Sequence, residues 1–450
     1  MSIETPVREE AKELPSIDAA EDARTETRRH KPKRRVNTPI VLAVFAASSV
    51  VAALACSSPE SFASRIASSP RASGEPVPQT QIIVPVPPIQ ASVAVPQTAD
   101  GLVTSLRSAN DPSGLADALV ALGSKRIVAG DAGRALAPID EAIAIRTNQA
   151  KDALKLSDAL FEKGWAILVE GTKRDTAAEP LNQSLSIRDR ARVSSDEIAA
   201  TLSLLSWAER EAGNKDGAVA LSRRLVKLAR TDSKLDLADA INSYGVNLIV
   251  AGDPRGAAKV LQESVNLRTK AGGAPLANSL QSLGWALLVS DAGNSSIAPL
   301  QRAVAIRTSE KIETPQLAGA IQLLASAQFR AKAYGPAVAT QQRLVALARK
   351  GLAGATLADT LDTLGVAQVL AKDAPSAVTT LKEALSLREG PDTALLATTL
   401  HTYGWALLGT GDRVAAQLVL KRAVTMRDGL SLIKDADKSR DLLALATQKA

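Results

Sequence analysis

The chain is poor in aromatic residues, cysteine and histidine. Aromatic side chains make up 2% of its 450 residues, and it has one cysteine and two histidines. A single cysteine, Cys56, excludes an internal disulfide framework and any zinc site built from cysteines. Because aromatic side chains are so scarce, small aliphatic side chains must fill the interior of any folded domain.

Sequence motifs typical of enzymes are missing as well. The chain has no phosphate-binding GxxxxGK[S/T] loop, no HExxH zinc motif and no GxSxG nucleophile motif. After residue 100, basic and acidic residues are interspersed without long runs, which indicates a solvated surface and not a nucleic-acid footprint. We therefore predict a protein that is not an enzyme, needs no cofactor or metal and binds no nucleic acid.

Eight segments of about forty residues share one pattern, and this repeat is the main feature of the sequence. Each begins with an apolar residue followed by Ala or Ser, as in Leu276-Ala277 and Leu156-Ser157. A small residue follows in the same apolar run, and in the eight segments it is Gly123, Gly164, Ser206, Gly245, Gly284, Ala325, Gly365 and Gly404. Such a period predicts supersecondary units that stack along one axis instead of one globular core.

The fifth segment shows the structure of each unit. Leucines at helical spacing run over residues 276–288, and residues 291–294 then interrupt the helix. A second amphipathic run follows over residues 297–306, so each segment is predicted to form a helical hairpin. Gly inside a helix costs about 1 kcal/mol relative to Ala, so the recurring small residue indicates close contact with the paired helix.

Further small residues recur in the second helix, for example Ala257 and Ser264 after Gly245 in the fourth segment. This spacing resembles the tetratricopeptide repeat. Residues 276–284 and 178–188 are similar to the long, kinesin-light-chain type of that repeat.

The resemblance implies an all-α fold. We expect a right-handed superhelical solenoid of about eight tetratricopeptide hairpins in residues 100–450, with a capping helix at residues 430–449. A longer period of about 120 residues is superimposed on the repeat, because Gly-Trp-Ala recurs in every third segment. This longer period predicts a duplicated block of three segments.

Three further segments precede the repeats. Residues 1–38 have few large apolar side chains and end in a basic cluster, so we predict a disordered, cytoplasmic tail. Residues 39–56 carry no charge and would span roughly 27 Å as a helix, close to the thickness of a bilayer's hydrocarbon core. We predict a transmembrane or signal-anchor helix there, with the N-terminus cytoplasmic because basic residues precede it. Residues 57–99, rich in Pro and Ser, predict an extended linker.

Two other fates of the apolar segment stay open. The sequence Ala53-Leu54-Ala55 has the form of a signal-peptidase site, so the leader could be cleaved. Cys56 lies in a context similar to a bacterial lipoprotein signal, so it is a candidate for lipidation. We expect a single-pass membrane protein with a periplasmic repeat domain, and a lipoprotein or a cleaved secreted form is the alternative.

The resemblance also indicates where a partner would bind. In tetratricopeptide proteins the first helix of each hairpin lines the concave groove, and the residue after the small position and those three and six before it face that groove. All four tryptophans of this chain occupy the first of these positions. The predicted partner-binding residues are Trp165, Trp207, Trp285, Trp405, Phe161, Asn242, Asn278, Gln281, Gln322, Asp239, Asp359, Asp362 and His401.

These side chains admit two interpretations. The tryptophans either contact a ligand, as tryptophan often does at binding hot spots, or pack between neighbouring first helices. Carboxamides can hold a peptide backbone and acidic residues favour a positively charged partner, and the alternative is a solvated polar groove. An arginine ends the second helix, as at Arg268 and Arg307, and we interpret it as a partner of the helix dipole instead of an anion-binding ladder.

The sequence thus predicts a membrane-tethered scaffold or adaptor that binds a protein or peptide in its concave groove, in bacterial envelope assembly. A structural envelope protein that self-associates is one alternative, with homo-oligomerisation left open. A transmembrane signal relay through the N-terminal tail is another.

Overall fold

The computed structural model describes residues 99–149, 152–290, 292–310, 314–388 and 393–448. Within these ranges every regular element is a helix, and the predicted all-α repeat fold is confirmed. The predicted tail, membrane segment and nearly all of the predicted linker lie outside the described residues, as does Cys56. The helices divide at residue 312 into two compact units.

The first unit contains eleven α-helices. They are α1 (Ala99–Ser108), α2 (Pro112–Val128), α3 (Ala132–Gln149), α4 (Ala153–Glu170), α5 (Ala178–Ala191), α6 (Ser195–Glu211), α7 (Lys215–Thr231), α8 (Leu237–Ala251), α9 (Pro254–Arg268), α10 (Gly273–Val289) and α11 (Ile297–Ser309). Short 3₁₀ helices, Arg174–Ala177 and Gly293–Ser296, precede α5 and α11. From α2 onward, consecutive helices pair as five hairpins.

The second unit contains three more hairpins and a closing helix. Its helices are α12 (Pro315–Arg330), α13 (Tyr334–Ala348), α14 (Leu357–Leu370), α15 (Ala374–Ser386), α16 (Ala394–Gly409), α17 (Arg413–Gly429) and α18 (Ile433–Thr447). Helix α18 lies in the range where the sequence predicts a capping helix, and it packs on α17. The sequence did not predict α1, whose Val103 packs with Leu115 and Leu119 of α2.

Local sequence signals fix where the helices begin. The Asp253 carboxylate accepts a hydrogen bond from Gly256 N at 2.8 Å, and Pro254 occupies the first turn of α9. Ser194 and Glu197 form a capping box at the start of α6. These side chains satisfy backbone donors that the helix leaves unpaired.

The turn between the two helices of a hairpin, called the elbow here, needs a left-handed residue in several copies. Gly252 has φ +94° and Gly411 has φ +82°. Glycine adopts this conformation without a Cβ clash, and the Asp that follows caps the next helix. The pair Gly-Asp therefore ends one helix and starts its antiparallel partner.

The small residue of each hairpin lies against a large one from the second helix. A Cβ added to Gly284 would lie 2.4 Å from Leu300 Cγ, and one added to Gly245 would lie 2.4 Å from Leu261 Cγ. Both leucines are fully buried. The prediction that glycine permits close helix contact is confirmed at these hairpins.

The contacts between helices determine which side of each unit is the inner one. First helices of consecutive hairpins contact each other directly, as α2 does with α4 and α14 with α16. Second helices mainly contact the first helix of their own hairpin and that of the next one. Within each unit the first helices therefore form the inner side of the stack. No helix of the described ranges is long and apolar enough to cross a membrane.

The close contact at Gly284 gives a first testable prediction. Gly284→Ala should lower the free energy of unfolding by about 1–3 kcal/mol, because the clash with Leu300 outweighs the gain in helix propensity. Urea unfolding followed by circular dichroism measures the change. Gly133→Ala is the matched control, since its Cβ would make only an ordinary contact 3.7 Å from Glu170 Cγ. Equal stability of both variants would contradict the packing argument.

Candidate functional site

The four tryptophans at the groove position differ in accessibility. Trp165 is 2% exposed and Trp285 is 7% exposed, whereas Trp207 and Trp405 are half-buried. The Trp207 indole Nε1 donates to Glu211 Oε1 at 3.1 Å, and the Arg174 guanidinium lies 5.9 Å from the ring centroid. Trp165 and Trp285 are therefore packing residues, and Trp207 and Trp405 keep ring surface available to a ligand.

The residues six positions before the small residue contact the arginine that ends the second helix of the same hairpin. Arg268 Nη2 donates to Asp239 Oδ1 at 3.0 Å. Arg388 Nη2 donates to Asp359 Oδ1 at 2.5 Å. Three other hairpins have the same contact, between Arg146 and Asp117, Arg188 and Asp158, and Arg307 and Asn278. We call this contact the mouth clamp, because it lies at the hairpin end opposite the elbow.

The arginines of the mouth clamps are multiply bonded, and all of them except Arg388 are buried. Arg188 is 5% exposed, and its guanidinium donates to Asp158 Oδ1 at 2.7 Å and to Thr201 Oγ1 at 2.8 Å. It also lies 4.7 Å from the ring centroid of Phe161, which is itself buried. Since Thr201 belongs to the next hairpin, the arginine joins two hairpins. These arginines thus do more than interact favourably with the dipole of the helix that they end.

The residues three positions before the small residue are mostly buried, and this argues against the interpretation of a solvated polar groove. Asn242 is 9% exposed, Gln281 is 1% exposed and Gln322 is 7% exposed. The Asn242 Oδ1 atom is buried and accepts no hydrogen bond within the described residues. Because the atom is shielded from solvent, a backbone N–H of a ligand reaches it only if the neighbouring side chains move.

Asp362 and His401 occupy the same position in the last two hairpins. Asp362 Oδ2 accepts hydrogen bonds from Arg388 Nη2 at 2.7 Å and from Thr399 Oγ1 at 2.8 Å. Burial raises the pKa of Asp362 to about 6, against the effect of Arg388. His401 Nδ1 lies 3.1 Å from Ser439 Oγ of the closing helix. Both residues therefore have structural partners besides any ligand.

The structure brings the predicted residues onto the first helices of each unit. What the sequence did not reveal is the pairing of the acidic row with the buried arginines. The sequence does contain a signal for this pairing, because the hairpins that lack the arginine also lack the acidic residue. In the third hairpin, Ala229 replaces the arginine and Ala200 replaces the acidic residue. In the described ranges, no group of three His, Cys, Asp or Glu side chains could hold a metal ion.

Several solved structures resemble this chain. The apo form of RapI aligns over 74% of this chain and 96% of its own, with 10% identity and a TM-score of 0.54. TPR-like repeats from a Podosopora anserina protein of kinesin-light-chain type align over 46% and 98%, with 17% identity and a TM-score of 0.38. PilF of Pseudomonas aeruginosa aligns over 54% and 96%, with 18% identity and a TM-score of 0.38.

These likenesses concern the fold alone. No protein-family model and no curated protein sequence matches the chain. Together with the stacked hairpins, the likeness to RapI establishes the fold as a helical repeat solenoid, and the predicted tetratricopeptide type of fold is confirmed.

The buried arginines give a second prediction. Arg188→Met should lower the free energy of unfolding by about 2 kcal/mol, because the Ser157 and Thr201 hydroxyls and the Asp158 carboxylate lose a charged hydrogen-bond donor. The control is Arg230→Met: this arginine is half-exposed, and its bidentate pair with Glu263 at 2.8 and 2.9 Å should contribute less than about 1 kcal/mol. Urea unfolding compares the two variants, and an equal loss would contradict the assigned role of the mouth clamp.

His401 gives a third prediction, on pH. Burial, together with the charges of Arg427 and Lys438, lowers the pKa of His401 from 6.5 to about 3. The unfolded chain therefore binds a proton that the folded chain does not, and stability falls as pH drops from about 6.5 towards 3. His401→Gln should lose less thermal stability between pH 7 and pH 4.5 than the wild type.

The measurement is the unfolding midpoint at several pH values in that window. Asp362 acts in the opposite direction, since its raised pKa stabilises the fold as pH falls through about 6. Because Asp362 is present in both proteins, the difference between them isolates His401. Identical pH profiles would show that His401 is not held neutral by the fold.

Proposed function

We propose that this protein is a scaffold or adaptor that binds a protein or peptide segment on the inner side of its repeat array. Stacked helical repeats present extended concave surfaces, which such proteins use for binding. The fold supports binding in general, and the choice of partner depends on the side chains of the inner row.

The observation that carries the proposal is the accessibility of Trp207 and Trp405. Tryptophan is enriched at binding hot spots, where a large ring gives contact area. The other two tryptophans at this repeat position, Trp165 and Trp285, are buried. The packing and binding interpretations of the tryptophans are thus divided among the four residues.

The polar side chains point to a partner held mainly through its backbone. Four of the five mouth clamps place an arginine against an Asp, so the acidic row attracts positive charge less than its sequence suggests. The Asn242 carboxamide keeps a buried acceptor. An extended segment with backbone N–H groups and apolar side chains would match these features.

Tethering and location are part of the same proposal. The uncharged segment 39–56, preceded by basic residues, supports a membrane anchor with the repeats in the periplasm, and the linker 57–99 would carry them away from the membrane. Envelope assembly is the process we propose on this basis. Lipidation at Cys56 or cleavage of the leader is the alternative, and intact mass spectrometry of the native protein distinguishes the three forms.

Site-specific photo-crosslinking in cells tests the binding proposal. A photo-reactive amino acid at position 207 or 405 should give a discrete adduct with a partner protein. The control is position 414 on the second-helix side, where Val414 is 81% exposed and should give none. An adduct of twice the chain mass would instead favour self-association.

Trp207→Ala should abolish the adduct formed at a neighbouring inner position of its own unit, and Trp405→Ala should do the same in the other unit, while circular dichroism stays unchanged. Persistence of the adduct would contradict the proposed role of the two rings. Deleting residues 1–27 tests the signal-relay alternative. The deletion should abolish the function of a relay, which needs the tail, and leave that of a scaffold intact.

A further inference from the structure

The third hairpin, formed by α6 and α7, lacks the mouth clamp. Ala229 stands where six other hairpins have an arginine, and Ala200 stands where five of those six have Asp or Asn. In the sixth of them, the eighth hairpin, Arg427 donates to Ser439 of the closing helix instead. Leu225, which is 5% exposed, fills the space that holds Ala or Ser next to the arginine in those hairpins. The N-terminal half of α6 and the C-terminal half of α7 are therefore joined by apolar contacts without a buried polar link.

The contact in the middle of this hairpin is also altered. Six hairpins place a Gly against a Leu or Ile: Gly123 with Ile139, Gly164 with Leu181, Gly245 with Leu261, Gly284 with Leu300, Gly365 with Leu381 and Gly404 with Leu420. The third hairpin has Ser206 and Ser222 at these positions. The Ser222 hydroxyl donates to Ala218 O at 2.8 Å within its own helix, so it does not bond α6.

A polar link is found instead at the elbow. Arg210 of α6 occupies the position that is Ile127, Leu168, Ile249, Leu288, Phe329, Val369 or Leu408 in the other hairpins. Its Nη1 donates to Asn247 Oδ1 at 2.9 Å, and Asn247 Nδ2 donates to Ala218 O at 3.2 Å. This chain of bonds joins the elbow ends of α6, α8 and α7.

The outer side of the hairpin does not replace the missing clamp. Arg230 lies one position after Ala229 and pairs with Glu263 of α9. The two side chains are 51% and 40% exposed, and such pairs contribute little to stability. The pair links α7 to the next hairpin, and at the mouth itself the Ser195 hydroxyl at the start of α6 donates to the Asp232 carboxylate after α7, a contact that is not buried.

We propose that the third hairpin is a hinge, in which α6 and α7 separate at the mouth while the elbow around Arg210 stays closed. Buried polar links fix the register of packed helices, whereas apolar contacts permit sliding. The free energy of local opening differs from place to place in a structure, and we assign a low value to the mouth that has no buried polar link. The motion would change the surface at Ala200 and Ser203 on the inner side, independently of whether a partner binds there.

The sixth hairpin, α12 and α13, provides a comparison. It also lacks the clamp, with Gly319 and Ala348 at the two positions, and it has Ala325 and Gln341 in place of Gly and Leu. At the position of Arg210 it has Phe329, in an edge-on contact with Tyr334 with 6.2 Å between ring centroids. Among the hairpins the structure describes, only the third combines a mouth without the clamp with an arginine at this elbow position.

Hydrogen exchange measured by mass spectrometry on the full chain tests the hinge. Amides of residues 198–203 and 224–231 should exchange about tenfold faster than those at the equivalent positions of the fourth hairpin, residues 237–242 and 263–270. Amides next to the elbow, residues 207–212, should be as protected as residues 246–251. Equal protection at both mouths would overturn the proposal.

Two variants test the role of the clamp directly, because one adds it to the third hairpin and the other removes it from the fourth. The triple variant Ala200→Asp, Leu225→Ser and Ala229→Arg installs the clamp and should slow exchange at the third mouth by about tenfold, without effect at the fourth. The reciprocal variant Asp239→Ala with Arg268→Ala removes the clamp from the fourth hairpin and should speed exchange there. If the triple variant fails to fold, the reciprocal variant decides, and unchanged exchange at the fourth mouth would overturn the proposal.

Discussion

The array depends on the close approach of the two helices at the small residue of each hairpin. Gly284 and its counterparts bring the helix backbones near enough for a buried Leu to cover the glycine. This contact sets the distance between first and second helices, and through it the position of the next hairpin. Since few aromatic residues are available, alanine and leucine complete the interior. Repeating one such contact builds a long stack without a single large core.

The mouth clamps are the second interaction that holds the hairpins together. Buried arginines such as Arg188 and Arg268 bind acidic residues of the first helix, and some also reach the next hairpin. The inner row of polar side chains is therefore organised by the fold before any ligand arrives. In the function we propose, recognition of a partner depends on the parts of the row that remain accessible, chiefly Trp207 and Trp405. A groove that looks acidic in the sequence is largely compensated in the structure.

The third hairpin shows how a repeat array becomes unequal along its length. Its sequence keeps the helical hairpin, since caps and apolar periodicity are retained, but it loses the clamp and the Gly–Leu contact. The polar link moves from the mouth to Arg210 and Asn247 at the elbow. Local changes of this kind alter how a hairpin deforms while the fold stays the same. The sixth hairpin, which lies three segments further on, lacks the clamp and the Gly–Leu contact as well.

The sequence alone determined the class of fold, the number of hairpins and the residues at each repeat position, because helix periodicity, caps and small residues act over a few residues. It also placed all four tryptophans on one row. Only the tertiary structure decided that Trp165 and Trp285 are buried and that Arg188 points inwards to Asp158. Burial and pairing depend on side chains about thirty residues apart in the chain or in the next hairpin, and repeat spacing does not specify those contacts.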